Sequence, residues 1–230
     1  AFLLAKGMLT FTQFHHSIGE FLFSSAWKPS DTEMGGGQVG AAIYIWGSIL
    51  TCTLALVISV PFSLATAVFM TQIAPKLGER IIRPAVEIFV GIPSVVYGWV
   101  GLVVLVPLLQ RIFDLPHGQS VLAAGIVLSV MIYPTITSVS ADAIRSVNNK
   151  YVEGAYGLGS TRWQMIYKVL LPAALPGILT AIVLGLARAF GEALAVSMVI
   201  GKMRAFPDSL LAPTNSLTAA IASDMGGAMD

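Results

Sequence analysis

Residues 41–72 read AAIYIWGSILTCTLALVISVPFSLATAVFMTQ, and no charged side chain interrupts the longer stretch 34–75 that contains them. A helix needs about 20 mainly apolar residues to cross about 30 Å of hydrocarbon. The run is long enough for such a helix, and its apolar residues are continuous, whereas the strands of a membrane barrel alternate. This stretch therefore predicts a membrane-spanning helix near 41–72.

Composition extends that prediction to the whole chain. Of its 230 residues, 56% are hydrophobic and 11% are charged, whereas soluble domains carry about 25% charged residues. Other charge-poor runs predict spans near 84–112, 119–144 and 171–201, and the apolar residues 1–5 look like the end of an earlier span. The net charge of +1 does not suggest a nucleic-acid partner. A single cysteine, Cys52, excludes disulfides within the chain, and the histidines have no metal-ligand spacing.

Lysine and arginine in the connections predict the orientation. The connections 73–84 and 142–170 hold several of them, whereas 113–118 holds none and 7–39 holds only Lys28. We expect the two richer connections to face the cytoplasm. Residues 1–40 would then be the end of a first helix and an extracytoplasmic segment, and 41–230 the transmembrane domain, with no return helix after 201. The predicted fold class is an all-α membrane bundle of about six helices in the full protein, with the first partial and the last missing here.

The connection 142–170 is patterned more strongly than a linker. Three glycines divide it into short helical pieces, and Ser160 or Thr161 is placed to cap the second piece. Trp163 and Ile166 recur at helical spacing within that piece. The pattern predicts a compact surface helix with an aromatic anchor, suited to the groove of a partner protein.

This connection resembles the cytoplasmic loop of ATP-binding-cassette importer permeases. The loop's signature is Glu-Ala-Ala, a later Gly and a closing hydrophobic-x-Leu-Pro, which fall in register with Glu153, Ala155, Gly159, Val169, Leu171 and Pro172. Gly154 stands where the family has its first Ala. In that family the loop docks on the ATPase subunit and transmits its closure to the membrane helices. The resemblance implies a type I importer permease fold, and an ATPase-coupling site made of Glu153, Gly154, Ala155, Gly159, Arg162 and Trp163.

Further stretches resemble the phosphate-specific members of that family. They are EIFVGIPSVVYG at 87–98, RAFGEALAV at 188–196 and SSAWKP at 24–29. The stretches at 188–196 and 24–29 are similar to one of the two permease subunits in phosphate importers, the one counted as the first. Ala193 is a departure, because the family usually has Thr there, and a hydroxyl is then absent from the path.

Arg188 and Glu192 lie inside the last predicted span, one helical turn apart on one face. Each such group costs about 2.5–3.5 kcal/mol at a helix centre on insertion scales, so it faces the bundle interior or a wet cavity. The planar fork of an arginine suits phosphate oxygens, and Glu192 would hold Arg188 in place or weaken its grip on the anion. We predict a substrate path at these two residues and at the hydroxyls of Ser94 and Tyr97.

Each of these residues also has a structural interpretation. Arg188 and Glu192 would form an ion pair that joins two helices, although the Arg-before-Glu order is the less favourable one within a helix. Ser94 would satisfy the backbone that the preceding proline interrupts. Glu87 is predicted to be a boundary charge that pairs with the arginine at 80 or 83.

The resemblance implies a permease subunit of an ATP-driven phosphate importer, in the bacterial inner membrane. No GxxxxGK[ST] loop is present, so partner ATPase subunits would bind ATP and Mg²⁺, and the chain would be no enzyme and carry no cofactor of its own. A second, similar permease subunit and an extracytoplasmic phosphate-binding protein are also implied. Two alternatives stay open. One is a permease for sulfate, molybdate or tungstate, and the other is a secondary transporter or intramembrane enzyme, for which neither an internal repeat nor a catalytic constellation is found.

Overall fold

The computed structural model describes residue 8, residues 17–28 and residues 38–227. The predicted end of an earlier span, at residues 1–5, lies outside them. The elements in chain order are α1 (Ile18–Phe23), β1 (Trp27–Lys28), β2 (Gln38–Val39), α2 (Ala42–Val68, continued by a π-helical turn, Phe69–Ile73), α3 (Pro75–Leu77, then a π-helical turn, Gly78–Ile82), α4 (Arg83–Gly91), α5 (Ser94–Val100, then a π-helical turn, Gly101–Leu105), α6 (Val106–Ile112), α7 (Val121–Arg145), α8 (Asn149–Gly157), α9 (Arg162–Met165, then a π-helical turn, Ile166–Leu170), α10 (Leu171–Gly191), α11 (Leu194–Val199) and α12 (Leu217–Gly227).

Four helical runs in the described part of the chain are long and apolar enough to cross a membrane. They are Ala42–Ile73, Ser94–Ile112, Val121–Arg145 and Arg162–Gly191. The spans predicted near 41–72 and 119–144 are confirmed. The all-α membrane fold is confirmed as well, because the strands found are the short antiparallel pair β1 and β2, which brings Trp27 edge-on to Tyr44 of α2 at 5.7 Å between ring centroids.

The span predicted near 84–112 is wrong in its first part, because the helix breaks before Pro93. Ile92 and Pro93 have extended ψ values of 129° and 138°, so α4 ends at Gly91 and α5 begins at Ser94. Proline lacks an N–H and restrains the residue before it to extended conformations. The spanning run therefore starts at Ser94, and α4 forms a separate short helix.

The span predicted near 171–201 is right in the start of its helix α10, at Leu171, and wrong at its end. The helical run begins at Arg162 and ends at Gly191. Pro172 lies in the first turn of α10, just after a π-helical turn, and the run continues through it. Glu192 has an extended ψ of 114°, which ends α10 and starts the separate helix α11. Residues 192–201 therefore do not continue the span.

Helix α7 is the centre of the bundle. In its most apolar window 67% of the residues are buried, against 22–33% in the other three spanning runs. Helices α2 and α10 pack along it, and its side chains Met131, Ile132 and Ile136 are almost fully buried. A Cβ on Gly185 of α10 would lie 2.6 Å from Ile136, so a glycine is needed for this close approach. The outer faces of the other spanning helices stay apolar and open.

A short helix, α12, follows the segment after α11, where no return helix was predicted. Its 11 described residues cover about 16 Å. It is fixed to the bundle at its start, where the Leu217 N–H donates to Ser48 of α2 at 3.0 Å. The side on which each connection lies, and the division at residue 40, stay predictions.

Candidate functional site

The connection between α7 and α10 is built from short-range capping interactions. Asn148 accepts a hydrogen bond from the Lys150 N–H at 3.0 Å and starts α8. Thr161 starts α9 with a capping box, in which Gln164 accepts from the Thr161 N–H at 2.9 Å and donates its own N–H back to Thr161 at 3.4 Å. Gly159 joins the two helices with a φ of +79°, which L side chains rarely adopt. The predicted pair of short helices is thereby found, with Thr161 as the cap.

One side of this connection packs against the bundle. Ala155 is buried with Met165, Ile166 and Leu170, in a cluster that also includes Met70 at the end of α2. This is the reason for a small residue at 155. Gly154 lies inside α8 and is exposed, and a Cβ added there would meet nothing within 4 Å. The alanine of the family signature would therefore fit at that position.

The other side of the connection presents large apolar side chains that the described chain leaves uncovered. Leu158 is 89% exposed and Trp163 is 64% exposed. Tyr151, Tyr156 and Tyr167 are exposed as well, and so is Glu153. We call this surface, formed by Tyr151, Tyr156, Leu158, Trp163 and Tyr167, the aromatic face. The predicted coupling residues thus lie on one connection, but Ala155 faces inward.

The Arg162 side chain forms hydrogen bonds with another part of the same chain. Its guanidinium Nη2 donates to the carbonyl oxygen of Gln72, and to that of Ile73 at 3.3 Å. These two carbonyls lie at the carboxyl end of the α2 run. This contact could not be predicted from the sequence, because the partners are 89 and 90 residues apart.

Two ion pairs join the segment before Pro93 to the end of α7, and one further pair lies within each of these elements. Arg83 contacts Glu87 at 3.1 Å and Asp142 at 3.9 Å, while Arg145 contacts Asp142 at 3.6 Å and Glu79 at 3.5 Å. The hydrogen bond to Glu87 and the charge of Asp142 raise the pKa of the Arg83 guanidinium. The prediction that Glu87 pairs with a neighbouring arginine is confirmed for Arg83.

The predicted geometry of Arg188 and Glu192 is wrong. Because α10 ends at Gly191, the two residues do not share a helical face. In the described part of the chain no ion pair joins them. Arg188 instead donates from Nη1 to Thr135 of α7 at 2.8 Å.

Glu192 has a local structural role. Its Oε1 accepts from the Ala195 N–H at 2.9 Å, which caps α11, and its backbone carbonyl accepts from Thr218 of α12 at 2.8 Å. It lines a small polar cavity of about 10 Å³ that also includes Ser48 and Thr51. The carboxylate therefore bonds to the first turn of α11, while the backbone carbonyl of the same residue joins α12.

Tyr97 bridges the helix break before Pro93. Its hydroxyl donates to the Phe89 carbonyl at 2.7 Å, across the gap between α4 and α5. The sequence had assigned that role to Ser94; among the described residues none forms a hydrogen bond with the Ser94 hydroxyl, which is half-buried. Tyr97 also lines an open apolar groove of about 410 Å³ between α5, α6 and α7, which includes Phe89, Val104 and Val130. Within the described part of the chain, no hydrogen bond or ion pair joins any two of the four predicted path residues.

Thr135 is the polar neighbour of Arg188 that the sequence missed. It lies within an apolar helix, one residue after Pro134. Its polar side chain in an apolar stretch was the one feature of the sequence that could have identified it. Two further hydroxyls of α7 and α2, those of Tyr133 and Thr66, bond to each other at 2.8 Å and face a second cavity of about 290 Å³. Polar side chains on α7 thus form hydrogen bonds with both neighbouring helices, α10 through Thr135 and α2 through Tyr133.

Comparison with known proteins gives consistent matches. The family model "Binding-protein-dependent transport system inner membrane component" matches residues 59–222. The "Probable ABC transporter permease protein YqgH" of Bacillus subtilis is 49% identical over 225 residues, covering 98% of this chain and 72% of that relative. The "Phosphate transport system permease protein PstC" of Haemophilus influenzae is 37% identical over 229 residues, covering 91% of this chain and 71% of that relative.

A solved structure is similar as well. The inward-facing MetNI methionine ABC transporter matches with a TM-score of 0.51 and 26% sequence identity, over 66% of this chain and 67% of that one. The predicted type I importer permease fold is thereby confirmed, and four spanning runs make the chain a multi-pass membrane protein. On the family model and these relatives, the chain belongs to the inner-membrane permease components of binding-protein-dependent ABC importers.

Proposed function

We propose that this chain is a phosphate-conducting permease subunit of an ATP-driven importer. Relatives named as PstC phosphate transport permeases, at 37% and 38% identity, support phosphate as the substrate. Sulfate, molybdate and tungstate are the competing oxyanions. The chain would carry out no chemical catalysis, since its task is to move an anion through the membrane.

The observation that carries the proposal is the environment of Arg188. It is half-buried in a spanning run, and within the described residues no carboxylate pairs with it. A guanidinium has five N–H donors in a planar fork, and its one hydrogen bond to Thr135 leaves most of them for an anion. A charge placed at membrane depth is in most cases functional. The Tyr97 hydroxyl is proposed as a second polar contact on the path.

The aromatic face is proposed as the docking surface for an ABC ATPase subunit. Large exposed aromatic and aliphatic side chains on a rigid, capped pair of helices are typical of helix-in-groove recognition. Trp163 would be its anchor, with Glu153, Gly154 and Gly159 setting the shape of the connection and Ala155 fixing it to the bundle. The ATPase subunits would bind ATP and Mg²⁺.

Closure of the ATPase subunits would move this connection and switch the path between outward-open and inward-open. The continuous run Arg162–Gly191 is about 45 Å long, so a displacement at its start is carried to Arg188 near its other end. A second, similar permease would form the other half of the path. An extracytoplasmic phosphate-binding protein would deliver the substrate.

Uptake of labelled phosphate into vesicles tests this function. The full-length protein is reconstituted with its ATPase subunits, permease partner and binding protein, with and without internal ATP. We expect uptake only with ATP, and no inhibition by sulfate or molybdate in hundredfold excess. Inhibition by either competitor would move the assignment to another oxyanion, and uptake that needs no ATPase subunit would contradict the importer mechanism itself.

A further inference from the structure

We infer that Arg162 is a positioning residue for coupling, which holds the carboxyl end of the α2 run to the connection that docks on the ATPase. The inference rests on the proposed role of that connection. It adds a second route by which movement of the connection reaches the membrane helices, through α2 as well as through α10.

The end of the α2 run lacks a cation of its own. The run finishes in the π-helical turn Phe69–Ile73, which has no basic residue in its last turn. The last carbonyls of a helix have no partner within it and carry partial negative charge. Beyond Ala74 the chain folds back so tightly that a Cβ on Gly78 would lie 2.3 Å from the Met70 carbonyl. This helix end is therefore fixed in place but still requires a donor.

Arg162, about 90 residues further along the chain, supplies that donor. It occupies the first position of α9, directly after the Thr161 cap, so its backbone is held by the capping box. Its Nη2 reaches the carbonyls of both Gln72 and Ile73. A cation that bonds two final carbonyls combines a hydrogen-bonding cap with a favourable charge at the negative end of the helix.

The two helices joined in this way form most of the packing around the central helix. Both α2 and α10 pack against α7, and α9 continues directly into α10. A push on the connection therefore displaces α10 through the backbone and α2 through Arg162. Without the guanidinium, contact between the connection and the α2 end depends on apolar packing around Met70 and Ala155.

The test compares Arg162→Gln with Arg162→Lys in the full-length permease assembled with its partner subunits, in nanodiscs for label distances and in sealed vesicles for uptake and ATP hydrolysis. Spin labels at Lys76→Cys and Lys150→Cys, in a cysteine-free background, report the distance between the α2 end and the connection. Both sites are exposed. Lys168→Gln is the matched control, because it removes an exposed positive charge a few residues further along without touching the helix end.

We expect one narrow label distance in wild type, unchanged between the nucleotide-free and nucleotide-trapped states. In Arg162→Gln the distance distribution should broaden or differ between those states, and uptake per ATP hydrolysed should fall about fivefold or more. Arg162→Lys, which keeps a cation at the helix end, should retain the narrow distance and most of the uptake, and Lys168→Gln should behave as wild type.

An unchanged distance and unchanged uptake per ATP in Arg162→Gln would overturn the inference. So would a variant that loses bound ATPase subunits while the label distance stays narrow, because Arg162 would then be a docking contact only. The label distances need no phosphate. A wild-type complex that fails to import phosphate would therefore refute the proposed substrate, and the distances would still decide the role of Arg162.

Discussion

The caps that shape the α7–α10 connection and the interhelical hydrogen bonds around Arg188 and Glu192 differ in how far apart their partners lie in sequence. In the connection, Thr161 and Gln164 cap each other across three residues. In the membrane segment, Arg188 bonds to Thr135, 53 residues away, and Glu192 bonds to Thr218, 26 residues away. The first geometry is encoded locally, whereas the second exists only after the helices have packed.

This difference separates two kinds of functional residue. The connection keeps its shape by its own caps, so substitutions on its exposed side should weaken partner binding without loosening the bundle. Around Glu192, by contrast, the polar groups join α10, α11 and α12, so substitutions there should affect stability first. Arg188 belongs to neither class, because it lies in the bundle with most of its donors unused by the described chain.

The largest expected effect in this comparison is on ATPase binding. Trp163→Ala should weaken binding of the ATPase subunit about 30-fold or more, as truncation of a central aromatic anchor does. Trp99→Ala is the matched control, because Trp99 is 60% exposed on a spanning run and Trp163 is 64% exposed on the connection. Binding of purified ATPase to the permease in nanodiscs measures both. Equal losses in the two variants would contradict the docking role of the aromatic face.

A smaller effect is expected where α5 meets α11. A Cβ on Gly98 would lie 2.7 Å from the Cα of Ala195, so Gly98→Ala should lower the free energy of unfolding by about 1–3 kcal/mol through overpacking. Gly91→Ala is the control, because a Cβ there meets nothing within 4 Å. Thermal unfolding in detergent distinguishes the two variants. A Gly98→Ala protein as stable as Gly91→Ala would show that this contact is not tight.

Removing the cap of α11 should cost less. Glu192→Ala leaves the Ala195 N–H without its acceptor and should lower the free energy of unfolding by about 1 kcal/mol. Phosphate uptake by the variant should stay within a few-fold of wild type, since Glu192 does not contact Arg188. The same unfolding and uptake assays check both expectations. A collapse of phosphate uptake at unchanged stability would contradict this expectation and would show that Glu192 takes part in the substrate path.

The smallest effect has the opposite sign. Gly154→Ala should raise the free energy of unfolding by about 0.5–1 kcal/mol, because alanine loses less entropy than glycine in a helix and the added Cβ has free space. Gly159→Ala is the control and should be destabilising, since Gly159 has a φ of +79°. Chemical unfolding of the two variants is the measurement. Destabilisation by Gly154→Ala would mean that Gly154 is covered in the folded protein.

The sequence predicted what depends on local chemistry. Charge-free length located the spans of α2 and α7, and glycine and threonine spacing located α8 and α9. It missed the break at Glu192, which a single glycine at 191 precedes, and the end of α10 was accordingly placed too late in the sequence. It also assigned the backbone repair near Pro93 to Ser94 instead of Tyr97, because the hydroxyl that reaches Phe89 is chosen by three-dimensional distance.

Initial rates of ATP-dependent phosphate uptake in Arg188→Ala and Arg111→Ala vesicles test the central claim most directly. Arg111 is an exposed arginine in the last turn of α6, so its variant controls for loss of a positive charge. We predict that Arg188→Ala lowers uptake about tenfold or more, as expected for lost hydrogen bonds to a charged group, while ATP hydrolysis and assembly persist. Arg111→Ala should import normally. Full uptake by Arg188→Ala, or equal losses in both variants, would contradict a path that uses Arg188.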